Sequence, residues 1–204
     1  MKQYGKLFVI SDPSGTGKGT ICNALTKNND RLVVSVSMTT RQPRNGEVHG
    51  THYYFVDVAE FEDTIAKDGL LEYAKVYENY YGTPRKMVMD ELAKGRDVLL
   101  EIDIQGAMKV KKAYPQGVFI FILPPSLKKL RERIENRGTD SKEVIDLRMS
   151  KAAGEIQWLK EYDYYVINDD FEEAATKTKE IMSAAHQKVD ARIDTVVERY
   201  KEDN

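Results

Sequence analysis

Apolar residues fall along this chain in two rhythms. Compact runs at 7–11, 32–37, 97–104, 117–123 and 164–168 are rich in Val, Ile, Leu, Phe and Tyr, and each is followed by a stretch with helical spacing. Runs that are apolar at nearly every position predict strands buried on both faces. Their alternation with helices predicts a parallel sheet covered on both sides. The first helix is expected to reach about Asn28. The last starts near Phe171 and carries Ala174, Ile181, Ala185 and Val189 at helical spacing.

Two stretches break the rhythm. Residues 37–84 are rich in Tyr, Thr, Arg and Gly, with short runs at 52–56 and 71–74 around one helix at 58–67, the pattern of a small inserted α/β subdomain. Residues 126–155 follow Pro124-Pro125 and read as helical. Leu127, Leu130 and Ile134 give one apolar stripe there, while Lys128, Lys129, Arg131, Arg133 and Arg137 fill the rest, so this is a thinly packed basic flap with the character of a mobile lid. The C-terminal ERYKEDN is expected to be solvated.

Composition narrows the class. At 204 residues, 41% hydrophobic and 31% charged, the chain suits one globular domain with sizeable insertions. No apolar run approaches the ~20 residues of a membrane span. The N-terminal MKQYGKLFVIS leads straight into the motif below rather than to a cleavage site, so the expected location is the cytoplasm. A net charge of −2 gives no global basic field for nucleic acid, and anion binding must come from local Arg and Lys clusters. The single Cys22 excludes a disulfide framework and reads as a small buried hydrophobe.

The chemistry begins at residues 6–20, KLFVISDPSGTGKGT, where a strand runs into a glycine-punctuated turn and then a helix opened by Lys18. Such a turn aims backbone N–H groups and a helix N-terminus at one point, where a phosphate chain fits. Amides from Ser14 to Thr20 would hold a β-phosphate, with the Lys18 ammonium reaching toward the γ-phosphate. Two positions depart from G-x-x-x-x-G-K-[ST]. Asp12 stands at the first glycine and Gly19 at the hydroxyl position, which leaves Thr20 as the nearest hydroxyl for a metal shell. A carboxylate aimed at phosphates would repel them, so Asp12 is expected to point away and bond its own turn.

A second cluster, SMTTRQPRNGEVHGTHYYF at 37–55, brackets Pro43 with Arg41 and Arg44 ahead of Tyr53. Paired arginines can grip one phosphate, and a tyrosine hydroxyl adds a donor. Glu72, then NYYGTPR with Tyr81 and Thr83, then LLEIDIQG with Glu101 and Asp103 follow. Carboxylates at the end of a buried strand need partners, and in an open α/β sheet that end faces the ligand crevice. A structural ion pair is the competing explanation.

Taken together and in order, PSGTGKGT, SVSMTTRQPRNGEVHGTHYYF, NYYGTP, LEIDIQGA, NRGTD and VINDDF resemble the guanylate kinase family over residues 6–186. The resemblance implies transfer of a phosphoryl group from ATP to GMP or dGMP with Mg²⁺, in a monomer or homodimer with no nucleic-acid or membrane partner. It also implies an α/β P-loop nucleoside triphosphate hydrolase-like three-layer fold with a central parallel sheet. The core would comprise about 4–34, 87–125 and 157–190, the GMP-binding insertion about 35–86, the lid about 126–156 and a charged helical extension about 190–204. By the same resemblance Arg41, Arg44, Tyr53 and Tyr81 would meet the GMP phosphate, and Ser37, Glu72, Thr83 and Asp103 would read guanine. ATP would lie on Pro13, Ser14, Gly15, Thr16, Gly17, Lys18, Gly19, Thr20 and Asn168. Lys18, Arg133, Arg137 and Arg148 would surround the transferred group, with Glu101 and Thr20 holding the magnesium water shell. A catalytically dead protein-binding module of the same fold would have no use for Lys18 or the lid arginines. A kinase of dTMP, AMP or a ribose bisphosphate would have none for Glu72 and Asp103.

Overall fold

The five apolar runs form one parallel sheet, in the spatial order β2 (Leu32–Val34), β7 (Asp97–Glu101), β1 (Leu7–Ser11), β8 (Val118–Leu123) and β9 (Tyr164–Ile167). The computed structural model describes residues 4–13, 15–27, 29–136, 138, 141–189, 197, 198, 200 and 201. All five residues of β1 are buried, because the strand lies between two neighbours and beneath two helical layers. Side chains alternate across the sheet. Phe8 and Ile10 join Leu99 and Ile120 in one core, closed by Ile21 and Leu25 of α1 (Lys18–Thr26) and Met182 and Ala185 of α7 (Phe171–Gln187). Leu7 and Val9 join Val98, Leu100 and Phe119 in the other, closed by Val88 and Leu92 of α3 (Arg85–Ala93) and Val110 of α4 (Ile104–Ala113). Each of these buried Val, Leu, Ile, Phe and Met side chains contributes about 1.5–3 kcal/mol of transfer free energy.

Several expected bounds shorten for identifiable reasons. Strand β7 stops at Glu101 because Asp103 caps α4, accepting a bond from the Gly106 N–H at 2.7 Å. Strand β2 stops at Val34 because the chain leaves for a second sheet. Helix α7 ends at Gln187, and Val189 is 71% exposed rather than on its apolar stripe.

The second sheet has the order β4 (Tyr54–Phe55), β3 (Met38–Thr39), β6 (Asn79–Pro84), β5 (Leu70–Val76), with β6 antiparallel to both neighbours. Helix α2 (Val58–Ala66), capped by Asp57, covers it through buried Phe61, which stacks on Tyr80 with ring centroids 5.2 Å apart. A Cβ at Gly82 would come within 2.9 Å of the Glu72 backbone carbonyl, so only glycine lets the strand lie this close.

Helices α5 (Leu127–Glu135) and α6 (Lys142–Glu155) form the basic flap, capped by Ser126 and Ser141. Their shared core is small: Leu130, Ile134, Ile145 and Ala152 are buried, with Met149 against them. Leu127 remains 38% exposed, which narrows the expected stripe. Among the described residues no helix is long and apolar enough to cross a membrane.

Candidate active site

The turn from β1 into α1 is built by two left-handed glycines, Gly15 at φ +98° and Gly17 at φ +95°, conformations that L side chains rarely adopt. Alternating them with Thr16 turns successive N–H groups toward the same side, which makes an anion-binding concavity. Two contacts hold the turn from outside. Asn168 is buried at the end of β9 and donates from Nδ2 to the Thr16 carbonyl at 2.7 Å. A Cβ at Gly17 would sit 2.9 Å from that same Nδ2, so the buttress itself requires glycine. Neither Asn168 nor Asp169 caps the following helix; Asp170 does, accepting from the Glu173 N–H at 2.8 Å.

Lys18 opens α1. Its Nζ donates to the Ile102 carbonyl at 3.0 Å and lies 3.1 Å from Asp12 Oδ1. The expectation for Asp12 is therefore half corrected: it pairs with the lysine of its own turn, but it points inward, because the Lys18 ammonium offsets its charge. Burial still pushes its carboxyl above the ordinary range, and the nearby Lys18 ammonium only partly counters this.

Gly19 is explained by what stands above it. A Cβ there would lie 3.2 Å from Glu101 Oε1, so the glycine admits the carboxylate that ends β7. Cys22, buried one turn further, lies within the electrostatic reach of Glu101. Burial first, and then that carboxylate, push the Cys22 thiol up to about 12, so the thiol stays protonated. Thr20 is exposed at the helix start.

A cleft of about 500 Å³ opens over this loop, lined by Asp12, Lys18, Thr20, Glu101, Asp103 and Glu155 among others. Four carboxylates thus face one ammonium, a wall that suits a cation accompanying phosphates better than phosphates alone. Glu155, at the end of α6, has a buried Oε2 with no hydrogen-bond partner. The sequence reading missed it, since nothing in a helical AAGE marks a carboxylate that meets the loop only in three dimensions. A second cavity of about 350 Å³ lies across the loop, between Gly15–Thr20 residues and Arg133, Asn168 and Phe171.

The second sheet supplies the other half. Glu72 and Thr83 face each other across β5 and β6, and the Thr83 hydroxyl donates to Glu72 Oε1 at 2.8 Å. A Cβ on Gly106 would lie 3.3 Å from both Glu72 Oε2 and Asp103 Oδ1, so this glycine keeps room between the two carboxylates. Burial pushes the Glu72 carboxyl up, and Asp103 adds to this while Thr83 and Lys109 oppose it. Arg41 lies 5.4 Å over the Tyr53 ring and bonds Glu47 Oε1 at 2.8 Å, while Tyr53 and Tyr81 meet edge to face at 6.0 Å. Glu47 also accepts the Arg44 N–H at 2.7 Å. These two bonds, Arg41 first, push Glu47 down to about 2. Glu47 also went unread in the sequence, where one more charge in RQPRNGE looks like ordinary surface. Ser37, Tyr53, Thr83 and Glu101 line a third cavity of about 300 Å³, so Glu101 borders both it and the phosphate-loop cleft.

A family model for guanylate kinase matches residues 4–185. The chain belongs to the guanylate kinase family. It is 48% identical to the guanylate kinase of Clostridioides difficile over 98% of this chain and 97% of that protein. It is 54% identical to that of Carboxydothermus hydrogenoformans over 88% of each. The solved guanylate kinase of Anaplasma phagocytophilum is 38% identical and superimposes with a TM-score of 0.71, covering 93% of this chain and 90% of that one. The parallel sheet with helices on both faces accordingly belongs to a P-loop nucleoside triphosphate hydrolase-like fold.

Not every residue suggested by the guanylate kinase resemblance converges. Arg133 donates to the Asn168 and Asp169 carbonyls at 2.7 and 2.9 Å, on the side of the second cavity rather than the acidic cleft. Arg148 stands on α6, about two turns before Glu155. Ser14 and Arg137 lie outside the described residues.

Proposed function

We propose that this protein transfers the γ-phosphoryl group of ATP to GMP or dGMP. The observation that carries the reading is Glu101, which borders both the phosphate-loop cleft and the cavity of Ser37, Tyr53 and Thr83, so a donor and an acceptor would meet across one carboxylate. The Glu72 carboxylate, steadied by Thr83, would accept the N1–H and exocyclic amine of guanine together, with Asp103 and Ser37 alongside. Adenine offers an acceptor at N1, which a carboxylate repels. Arg41, Arg44, Tyr53 and Tyr81 would hold the acceptor's phosphate.

On the donor side, Gly15 to Thr20, with Pro13 and Ser14 leading in, would cradle the β-phosphate, and Asn168 would border the adenine end. The acidic wall fits a magnesium ion brought with ATP. Among the described residues no three His, Cys, Asp or Glu side chains converge to bind a metal directly, so Thr20 and Glu101 would hold it through water. Bound there, it would supply charge neutralisation across the phosphates. Lys18, with Arg133, Arg137 and Arg148 carried in by the flap, would meet the charge that develops on the transferred group. The reaction then needs alignment rather than a dedicated base. The domain plan follows the same reading: a core, an acceptor-binding insertion at about 35–86 and a lid at about 126–156, in a cytoplasmic enzyme.

A coupled ADP-release assay with ATP and each nucleoside monophosphate tests this. GMP should be the best acceptor and dGMP second. Equal or faster turnover of AMP would overturn the guanine assignment.

A further inference from the structure

The carboxylate of Asp12 lines the cleft over the glycine loop and is paired with the lysine that opens α1. Its partner is the Lys18 ammonium at 3.1 Å, which also donates to the Ile102 carbonyl at 3.0 Å. With two of its three N–H groups so engaged, that ammonium cannot serve the carboxylate and a polyphosphate fully at once. We propose that Asp12 is a built-in competitor for the phosphate chain, so that this loop accepts cation-bound polyphosphate and discriminates against the bare anion. The inference rests on the phosphotransferase reading above and names a specificity determinant within it.

The surroundings sharpen the competition. Asp12 is only 9% exposed at its side chain, so it cannot swing into bulk water without leaving the cleft wall. Glu101, Asp103 and Glu155 line the same cleft, and Tyr162 and Cys22 lie within electrostatic reach. Lys18 is the one cation among the described residues lining that cleft. A bare polyphosphate would therefore displace Asp12 from its ammonium toward other carboxylates, and its own charges would add to theirs. A divalent cation arriving with the phosphates changes the balance, because it gives the displaced carboxylate and its neighbours a new positive partner.

Isothermal titration calorimetry with inorganic tripolyphosphate and with ADP, each in EDTA and in MgCl₂, tests the proposal on the full chain and on Asp12→Asn and Asp12→Gly. The Asn variant keeps the side chain's shape and removes the charge; the Gly variant removes the side chain and serves if Asn perturbs the turn. In EDTA both variants should bind tripolyphosphate about tenfold or more tightly than the parent, the scale of one charge-assisted contact that no longer has to be broken. The gain should shrink in MgCl₂, and GMP binding should be unchanged. Equal or weaker tripolyphosphate binding by both variants, with GMP binding intact, overturns the proposal and leaves Asp12 a brace of the turn. A parent protein that binds neither ADP nor GMP would instead overturn the phosphotransferase reading.

Discussion

Both regions proposed to bind anions contain a carboxylate of their own, and the two carboxylates are in opposite electrostatic condition. In the phosphate loop Asp12 pairs with Lys18, yet burial dominates and raises its carboxyl. In the arginine loop Glu47 pairs with Arg41 and the Arg44 N–H, and those bonds dominate and lower it to about 2. The contrast follows from depth. Asp12 lines a cleft with other acids around it and has a side chain 9% exposed, whereas the half-buried Glu47, 19% exposed, has an arginine and a main-chain N–H on it. An internal anion is thus a poorly tolerated occupant in one site and a structural strut in the other.

The strongest way to break this comparison is to remove the cation at the deeper site. Lys18→Ala deprives the loop of its ammonium and leaves Asp12 in the cleft wall beside Glu101 and Asp103 without its cation. Turnover should fall about 10²–10³-fold, as for other groups that stabilise developing charge. Circular dichroism should remain native, because Lys18 is no part of either hydrophobic core. Near-normal turnover would remove Lys18 from the chemistry.

Next in size is Glu72→Gln, which keeps the shape opposite Thr83 but replaces a double acceptor by a group with one donor end. The GMP KM should rise by roughly 10–100-fold, the scale of one hydrogen bond to a charged group. The ATP KM should hardly move, since Glu72 on β5 itself lines neither of the loop's two cavities. A loss confined to kcat would argue that Glu72 does not read the base.

How far the sequence carried differs between these regions in a physical way. Strand positions, the glycine turn and the second-sheet insertion were legible because they depend on local periodicity and on backbone conformations few residues adopt. Glu101 and Asp103 were legible as two acids at the end of one buried strand, and Glu72 only through the family resemblance. The room that Gly106 keeps between Glu72 and Asp103 was not legible, because it is set by how closely α4 packs on β5. Asp12 was misjudged from Coulomb repulsion alone; the Lys18 ammonium that holds it inward at 3.1 Å meets it only across the turn that Gly15 and Gly17 make at positive φ. Glu47 and Glu155 carried no motif; the pair with Arg41 sets the first apart from other acids, and a buried, unpartnered Oε2 the second.

The smallest expected effect is also the most direct test of the contrast, because it asks for opposite signs. For Glu47, the folded value near 2 lies below the ordinary 4.5, so its contribution to stability is present above 4.5 and is lost as pH falls toward 2. For Asp12, the folded value lies above the ordinary 3.8, so its contribution is present below 3.8 and is lost as pH rises through the folded value. Glu47→Gln should therefore flatten the acid side of the stability profile, with its deficit relative to the parent narrowing from pH 5 to pH 2. Asp12→Asn should do the reverse, comparing worst with the parent in acid and improving steadily as the pH climbs. Water screening keeps the Glu47 effect modest, so thermal midpoints measured at closely spaced pH values are needed to read it. Two slopes of the same sign would mean that depth in the cleft does not distinguish these carboxylates, and the comparison between the two loops would fail.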